Sequence, residues 1–103
     1  MMGTILKMNN NMDDNTKEIL YILQEECAEV TQAVSKVFRF GFDARWPDDT
    51  TPNNKEKLEE EIGDLLAMID ILVRKTTLSD SNINDARHKK IEKLKKWSTI
   101  KDI

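Results

Sequence analysis

Two acidic motifs contain the residues most suited to chemistry, Glu25-Glu26-Cys27-Ala28-Glu29 and Glu61-Ile62-Gly63-Asp64. Each lies in a segment whose apolar residues recur at helical spacing, and each contains a pair of carboxylates three residues apart. Side chains three residues apart on a helix are neighbours, with Cβ atoms about 5–6 Å apart. Two facing helices carrying such pairs would surround one point with carboxylate oxygens, which Mg²⁺ binds together with water and phosphate oxygens. The motifs therefore predict a divalent-metal site shared by two helices.

The direction of each acid around its helix favours this interpretation over a solvated acidic face. At about 100° per residue, Glu26 lies near the middle of the apolar stripe of the first segment, and Glu29 lies at its edge. In the second segment Glu61 lies inside the stripe and Asp64 on its border. The neighbouring Glu25 points away. Because an ionised carboxylate in an apolar stripe is costly unless paired or metal-bound, the four inward acids are the candidate ligands, and an exposed acidic face is the alternative.

The sequence lacks the residues that two other kinds of metal site require. A di-iron carboxylate bundle requires Glu-x-x-His motifs on two helices, and the only histidine, His88, lies in no such motif. An EF-hand requires a 12-residue loop with a central glycine, which the interval 43–59 does not supply. Cys27 lies on the apolar stripe, and we expect it in the core.

Three helices are predicted to position these residues, and they define an all-α fold. Helical spacing of apolar residues covers about 15–38 with Asn15 as the N-cap, about 54–77, and a third segment from the capping residues 79–82 to about 98. The interval 39–53, with its glycine, two prolines and aromatic residues, is typical of a functional loop. Two long antiparallel helices and a shorter third make an incomplete bundle, so we expect a homodimer or homotetramer to complete a four-helix core.

The composition is that of one small domain. The chain has 103 residues, of which 34% are charged, and it has only 3 Gly and 2 Pro. That balance favours long amphipathic helices over a fold of many strands. We expect residues 1–14 to form a mobile N-terminal arm, residues 15–98 the domain, and residues 99–103 a C-terminal tail.

Charge and cysteine usage limit the partners and the compartment. The formal net charge is −3, which predicts no nucleic-acid partner and no membrane partner. The charge is uneven, because residues 83–103 hold seven Lys and Arg against three Asp and Glu. A single cysteine cannot form an intrachain disulfide, and no apolar run has the length of a membrane span or the form of a signal peptide. We therefore expect a cytoplasmic protein.

The motifs, taken in order, resemble those of a known family. The runs Glu25-Glu26-Cys27-Ala28-Glu29-Val30, Arg39-Phe40-Gly41 and Glu61-Ile62-Gly63-Asp64-Leu65-Leu66 are similar to the MazG-type all-α nucleoside triphosphate pyrophosphohydrolases, in particular to short single-domain members common in phages and mobile elements. The family pattern is Glu-Glu-x-x-Glu followed by Glu-x-x-Asp, and the resemblance covers about residues 15–97. It implies Mg²⁺-dependent hydrolysis of a (deoxy)nucleoside triphosphate to the monophosphate and pyrophosphate, with Mn²⁺ as an alternative ion.

The resemblance also implies roles for individual residues. The metal ligands, which are also the catalytic carboxylates, become Glu26, Glu29, Glu61 and Asp64. The substrate-binding residues become Lys36, Arg39, Trp46, Lys90 and Lys93. The ring of Trp46 would stack on the nucleobase, and the basic residues would approach the phosphates. Ordinary surface lysines, and aromatic residues packed against the core, are the alternatives.

Two other functions stay open on the sequence. Phosphoribosyl-ATP pyrophosphohydrolase belongs to the same superfamily and shares the acidic scaffold. From a different class, the chain could be a non-catalytic helical interaction module whose basic third helix contacts an acidic partner.

Overall fold

Three helices make up the secondary structure of residues 12–103, the part of the chain that the computed structural model describes. They are α1 Asp14–Phe40, α2 Asn54–Lys75 and α3 Asp80–Trp97, and no strand occurs among these residues. The predicted all-α fold class is confirmed. The predicted N-terminal arm lies outside the described residues, except for its last three. No helix within residues 12–103 is long and apolar enough to cross a membrane.

The ends of α1 differ from the predicted ends by one or two residues. Asp13, and not Asn15, is the N-cap, because its carboxylate accepts a hydrogen bond from the backbone N–H of Thr16 at 2.6 Å. At the other end α1 continues to Phe40, two residues beyond the expected end. Gly41 follows with a φ of 87°, a conformation that glycine adopts without a steric penalty, and the helix stops there.

The turn between α1 and α2 is held by one buried side chain. Asn54 is 7% exposed, and its amide nitrogen donates hydrogen bonds to the carbonyl oxygens of Lys36 at 3.4 Å and Gly41 at 3.0 Å. Asn53 and Glu56 form a capping box at the same point, which satisfies the first backbone donors of α2. The start of α2 is thereby tied to the end of α1.

The two long helices run antiparallel, as predicted. Asn54 at the start of α2 contacts Lys36 near the end of α1, whereas Asp64, farther along α2, lies beside Glu26, farther back on α1. The packing of α1 on α2 is the main tertiary contact among the described residues. This register decides which side chains of the two acidic motifs meet.

A single chain leaves much of its apolar surface open to solvent. Only three hydrophobic residues are buried within residues 12–103: Ile19, Ala33 and Leu72. α3 buries none of its residues. Cys27, which we predicted in the core, is exposed, so that prediction was wrong for the single chain. The physical reason is that two packed helices cover only the strip between them, and Cys27 lies outside that strip.

Candidate metal centre

The antiparallel packing gathers three of the predicted metal ligands. One carboxylate oxygen each from Glu26, Glu61 and Asp64 lies within 4.8 Å of the others. Two oxygens bound to one Mg²⁺ at 2.0–2.1 Å are at most about 4.2 Å apart, so small side-chain rotations would let all three share an ion. Glu26 and Glu61 are half-buried and Asp64 is exposed. The chemistry of the donors, all of them hard oxygens, fits Mg²⁺ or Mn²⁺.

Helical spacing explains why these acids meet and their neighbours do not. Glu61 and Asp64 are nearly one turn apart on α2, so their side chains lie on the same side of the helix. Glu26 of α1 lies close to both of them on that side. Glu25 and Glu59, each of which lies outside the apolar stripe of its helix, are exposed. The convergence of Glu26, Glu61 and Asp64 agrees with the directions that helical spacing gave them, whereas Glu29, which was also expected to face inward, is exposed.

Glu29 is the predicted ligand that stays outside this three-residue group. It is exposed, and it lies nearly one turn beyond Glu26 on α1. Together with Glu61 it lines a cleft of about 270 Å³, which we call the acidic cleft. Its charge contributes to a raised pKa at both Glu26 and Glu61, so its carboxylate lies within electrostatic reach of the cluster. The structure thus places three predicted ligands together and the fourth at the rim.

Burial and mutual repulsion make the cluster costly to ionise. Removal from water raises the pKa of Glu26, and the charges of Asp64, Glu29 and Glu25 raise it further. Removal from water is also the main cause of the raised pKa of Glu61, followed by the charges of Glu29 and Asp64. No lysine or arginine within residues 12–103 forms an ion pair with Glu26 or Glu61. A bound cation would supply the missing positive charge.

A larger cleft of about 390 Å³ lies where α1, the loop and α2 meet, and we call it the aromatic cleft. Its wall combines aromatic, cationic and small side chains: Lys36, Phe40, Ala44, Arg45, Trp46, Asn54 and Lys57. Trp46 is 78% exposed. Arg45 is held in place, because its guanidinium donates to the Thr51 carbonyl oxygen at 2.6 Å and lies 3.5 Å from a carboxylate oxygen of Glu56. The cleft offers a flat ring face beside positive charge.

The predicted substrate contacts fall into two groups in the single chain. Lys36 lines both clefts and Trp46 lines the aromatic cleft. Arg39 lies on the last turn of α1, and Lys90 and Lys93 are exposed on α3, and these three line neither cleft. Their predicted role stays a prediction.

Sequence reasoning missed several residues of the two clefts, and the polar ones that line the aromatic cleft are Arg45, Asn54 and Lys57. Lys57 could have been found, because it lies four residues before Glu61 and therefore on the same side of α2. Asn54 carried no comparable signal, since its role depends on carbonyl groups of α1 that only the folded turn brings near.

One comparison with known proteins gives a match. The family model described as the MazG nucleotide pyrophosphohydrolase domain matches residues 14–98, a range that contains all three helices, both acidic motifs and the loop between them. No curated protein and no solved structure matches the chain.

Without a divalent cation, we expect Glu26→Gln and Glu61→Gln to unfold at the same temperature as the unsubstituted protein or at a higher one. A folded-state pKa above the ordinary value of 4.5 means that the stability contributed by the protonated form is fully present below that value. It is lost as the pH rises through the raised pKa. Glutamine keeps the shape of the glutamate side chain but carries no charge, so the variants do not lose this stability as the pH rises.

Thermal unfolding followed by circular dichroism in EDTA, from pH 4 to pH 8, measures this effect. The gain over the unsubstituted protein should grow as the pH rises above about 4.5. Glu59→Gln, an exposed acid on the same helix, is the matched control and should gain less. A marked fall in the unfolding temperature of either cluster variant would instead mean that these acids stabilise the metal-free fold.

Proposed function

The chain belongs to the MazG nucleotide pyrophosphohydrolase family, and from that premise we propose that it hydrolyses (deoxy)nucleoside triphosphates to the monophosphate and pyrophosphate with Mg²⁺. One observation carries the proposal. The carboxylates of Glu26, Glu61 and Asp64 converge within 4.8 Å on two packed helices, and no lysine or arginine of the described residues forms an ion pair with them. Such a group is suited to hold a divalent cation against a phosphate chain.

In this proposal Glu26, Glu61 and Asp64 hold the metal ion, and Glu29 adds its charge from the rim. The bound ion would polarise a phosphoryl oxygen and lower the pKa of a water molecule. One of the four carboxylates accepts the proton that the attacking water loses. The raised pKa values of Glu26 and Glu61 belong to the metal-free protein, and a bound cation would lower both.

The adjoining clefts suggest how the substrate lies. The two clefts share Lys36, so a ligand can extend from one into the other. We place the nucleobase against the ring of Trp46 in the aromatic cleft and the phosphates in the acidic cleft. Arg39, Lys90 and Lys93 are proposed as further phosphate contacts, although in a single chain they line neither cleft.

We also propose that the chain forms a homodimer or homotetramer. Only three hydrophobic residues within residues 12–103 are buried, and Ile62 and Leu66 on α2 are 41% and 55% exposed. Ile62 lies within the second acidic motif and Leu66 two residues after it, so a second copy that covers them would lie next to the proposed metal centre. Such an assembly could bring the basic residues of one copy's α3 toward the site of another.

Pyrophosphate release from a panel of nucleoside triphosphates, deoxynucleoside triphosphates and phosphoribosyl-ATP tests the activity. We expect release with Mg²⁺ and none after chelation. Glu61→Ala should lower kcat/KM at least about 100-fold, the upper end of what losing even a supporting residue of a metal site costs. Glu59→Ala, an exposed neighbour, should stay near the unsubstituted rate.

The panel also separates the alternatives. Preference for phosphoribosyl-ATP would assign the chain to that activity. The interaction module would be supported if no nucleotide released pyrophosphate and if Mg²⁺ plus a nucleotide analogue did not change the unfolding temperature.

Trp46→Ala tests the nucleobase position. Stacking of a base on an aromatic side chain contributes about 1–3 kcal/mol, so KM should rise roughly 5- to 150-fold while kcat changes less. Trp97→Ala is the matched control, because Trp97 is also 78% exposed and lines neither cleft. Equal kinetic effects of the two substitutions would remove Trp46 from the base site.

Sedimentation equilibrium tests the assembly. We expect a mass of two or four times the 12.0 kDa of one chain. Leu66→Glu should shift the equilibrium toward the single chain, because it places a charge on an apolar surface that the second copy would cover. A monomer at all concentrations, for the unsubstituted protein, would contradict the proposal.

A further inference from the structure

The acidic cleft and the aromatic cleft meet at a shared wall. Three residues line both of them: Lys36, Asn54 and Lys57. The amide nitrogen of Asn54 is engaged by the carbonyl oxygens of Lys36 and Gly41, which fixes its direction. The two lysine ammonium groups are therefore the charged groups at the junction of the clefts, one from each of the two long helices.

Lys57 has no protein partner for its charge among the described residues. The ion pairs within residues 12–103 are Arg45 with Glu56 and Lys95 with Glu92, so neither involves Lys57. The Lys57 ammonium also forms no hydrogen bond with these residues. Yet Glu61 lies one turn away on the same helix, and both line the acidic cleft. Lys57 is also half-buried and lines both clefts, as expected for a lysine whose apolar stem packs on the protein while its charged end stays in water.

The position of Lys57 relative to the candidate metal suits an anionic ligand. Its Cβ atom is about 5–6 Å from that of Glu61, as for any pair four residues apart on a helix. A phosphate chain that the metal holds at Glu61 and that runs toward the aromatic cleft must pass the junction. There it needs positive charge, because three glutamates also line the acidic cleft. Lysine binds phosphate as a compact point charge, without the fixed geometry that arginine requires.

We propose that Lys57 binds the phosphate chain of the nucleotide at the junction of the two clefts, opposite Lys36, and so sets the direction in which the chain enters the metal centre. This inference rests on the proposed function for the identity of the ligand. It adds to the site a residue of α2 that neither of the acidic motifs contains.

Inorganic triphosphate with Mg²⁺ is the probe, because it presents the phosphate chain without a nucleoside. Calorimetric titration should show that Lys57→Gln binds it about tenfold more weakly than the unsubstituted protein. Lys57→Arg, which keeps the charge, should restore most of the affinity. Lys55→Gln is the matched control, since Lys55 is exposed on the same helix, carries the same charge and lines neither cleft, and its affinity should not change.

Kinetics give the second measurement. With the best substrate of the panel, Lys57→Gln should raise KM about tenfold, and Lys55→Gln should leave it unchanged. Thermal unfolding of the variants with EDTA separates loss of binding from loss of fold. A nucleoside without phosphates should bind Lys57→Gln and the unsubstituted protein equally.

The outcomes separate this inference from the proposed function. If nucleotides are hydrolysed but Lys57→Gln and Lys55→Gln bind triphosphate equally well, only the role of Lys57 is overturned. If no nucleotide is hydrolysed but triphosphate binding depends on Lys57, the activity fails and the phosphate site stands. If the unsubstituted protein binds no triphosphate, the role of Lys57 is overturned whatever the activity.

Discussion

Helix packing holds several negative charges close together. Their mutual repulsion is the constraint on which the rest of this structure depends. Glu26, Glu61 and Asp64 converge because α1 packs on α2 in an antiparallel register, and partial removal from water adds to their repulsion. Among the described residues, no lysine or arginine forms an ion pair with these three acids. In the proposed function, a bound divalent cation would make this unfavourable arrangement favourable, so the metal-free fold would be less stable for the sake of metal affinity.

The turn of the hairpin sets the register that creates this repulsion. Asn54 closes it with hydrogen bonds to two carbonyl groups at the end of α1, and the capping box at Asn53 starts α2 immediately before. The same turn places Trp46 and two lysines beside the acidic residues. One local structure therefore positions both the negative cluster and the aromatic and cationic surface next to it.

The small core follows from the same architecture. Two packed helices shield only the strip between them, and α3 adds no buried residue. A chain of this size buries a limited share of its surface in any case. Ile62 within the second acidic motif and Leu66 just after it are exposed, which is consistent with the proposed bundle that a second copy completes. The metal centre and the assembly would then share one surface.

The sequence by itself determined the three helices and the direction of Glu26, Glu61 and Asp64 around them, because helical periodicity is a local property that a run of residues carries within itself. Only the tertiary structure decided that Glu29 lies at the rim, that Cys27 is exposed, and that Lys57 shares a wall with Lys36. These features depend on how far one helix slides along the other and on what covers its outer side. Hydrogen bonds between distant residues and the number of packed layers set both, and no spacing along the chain encodes them.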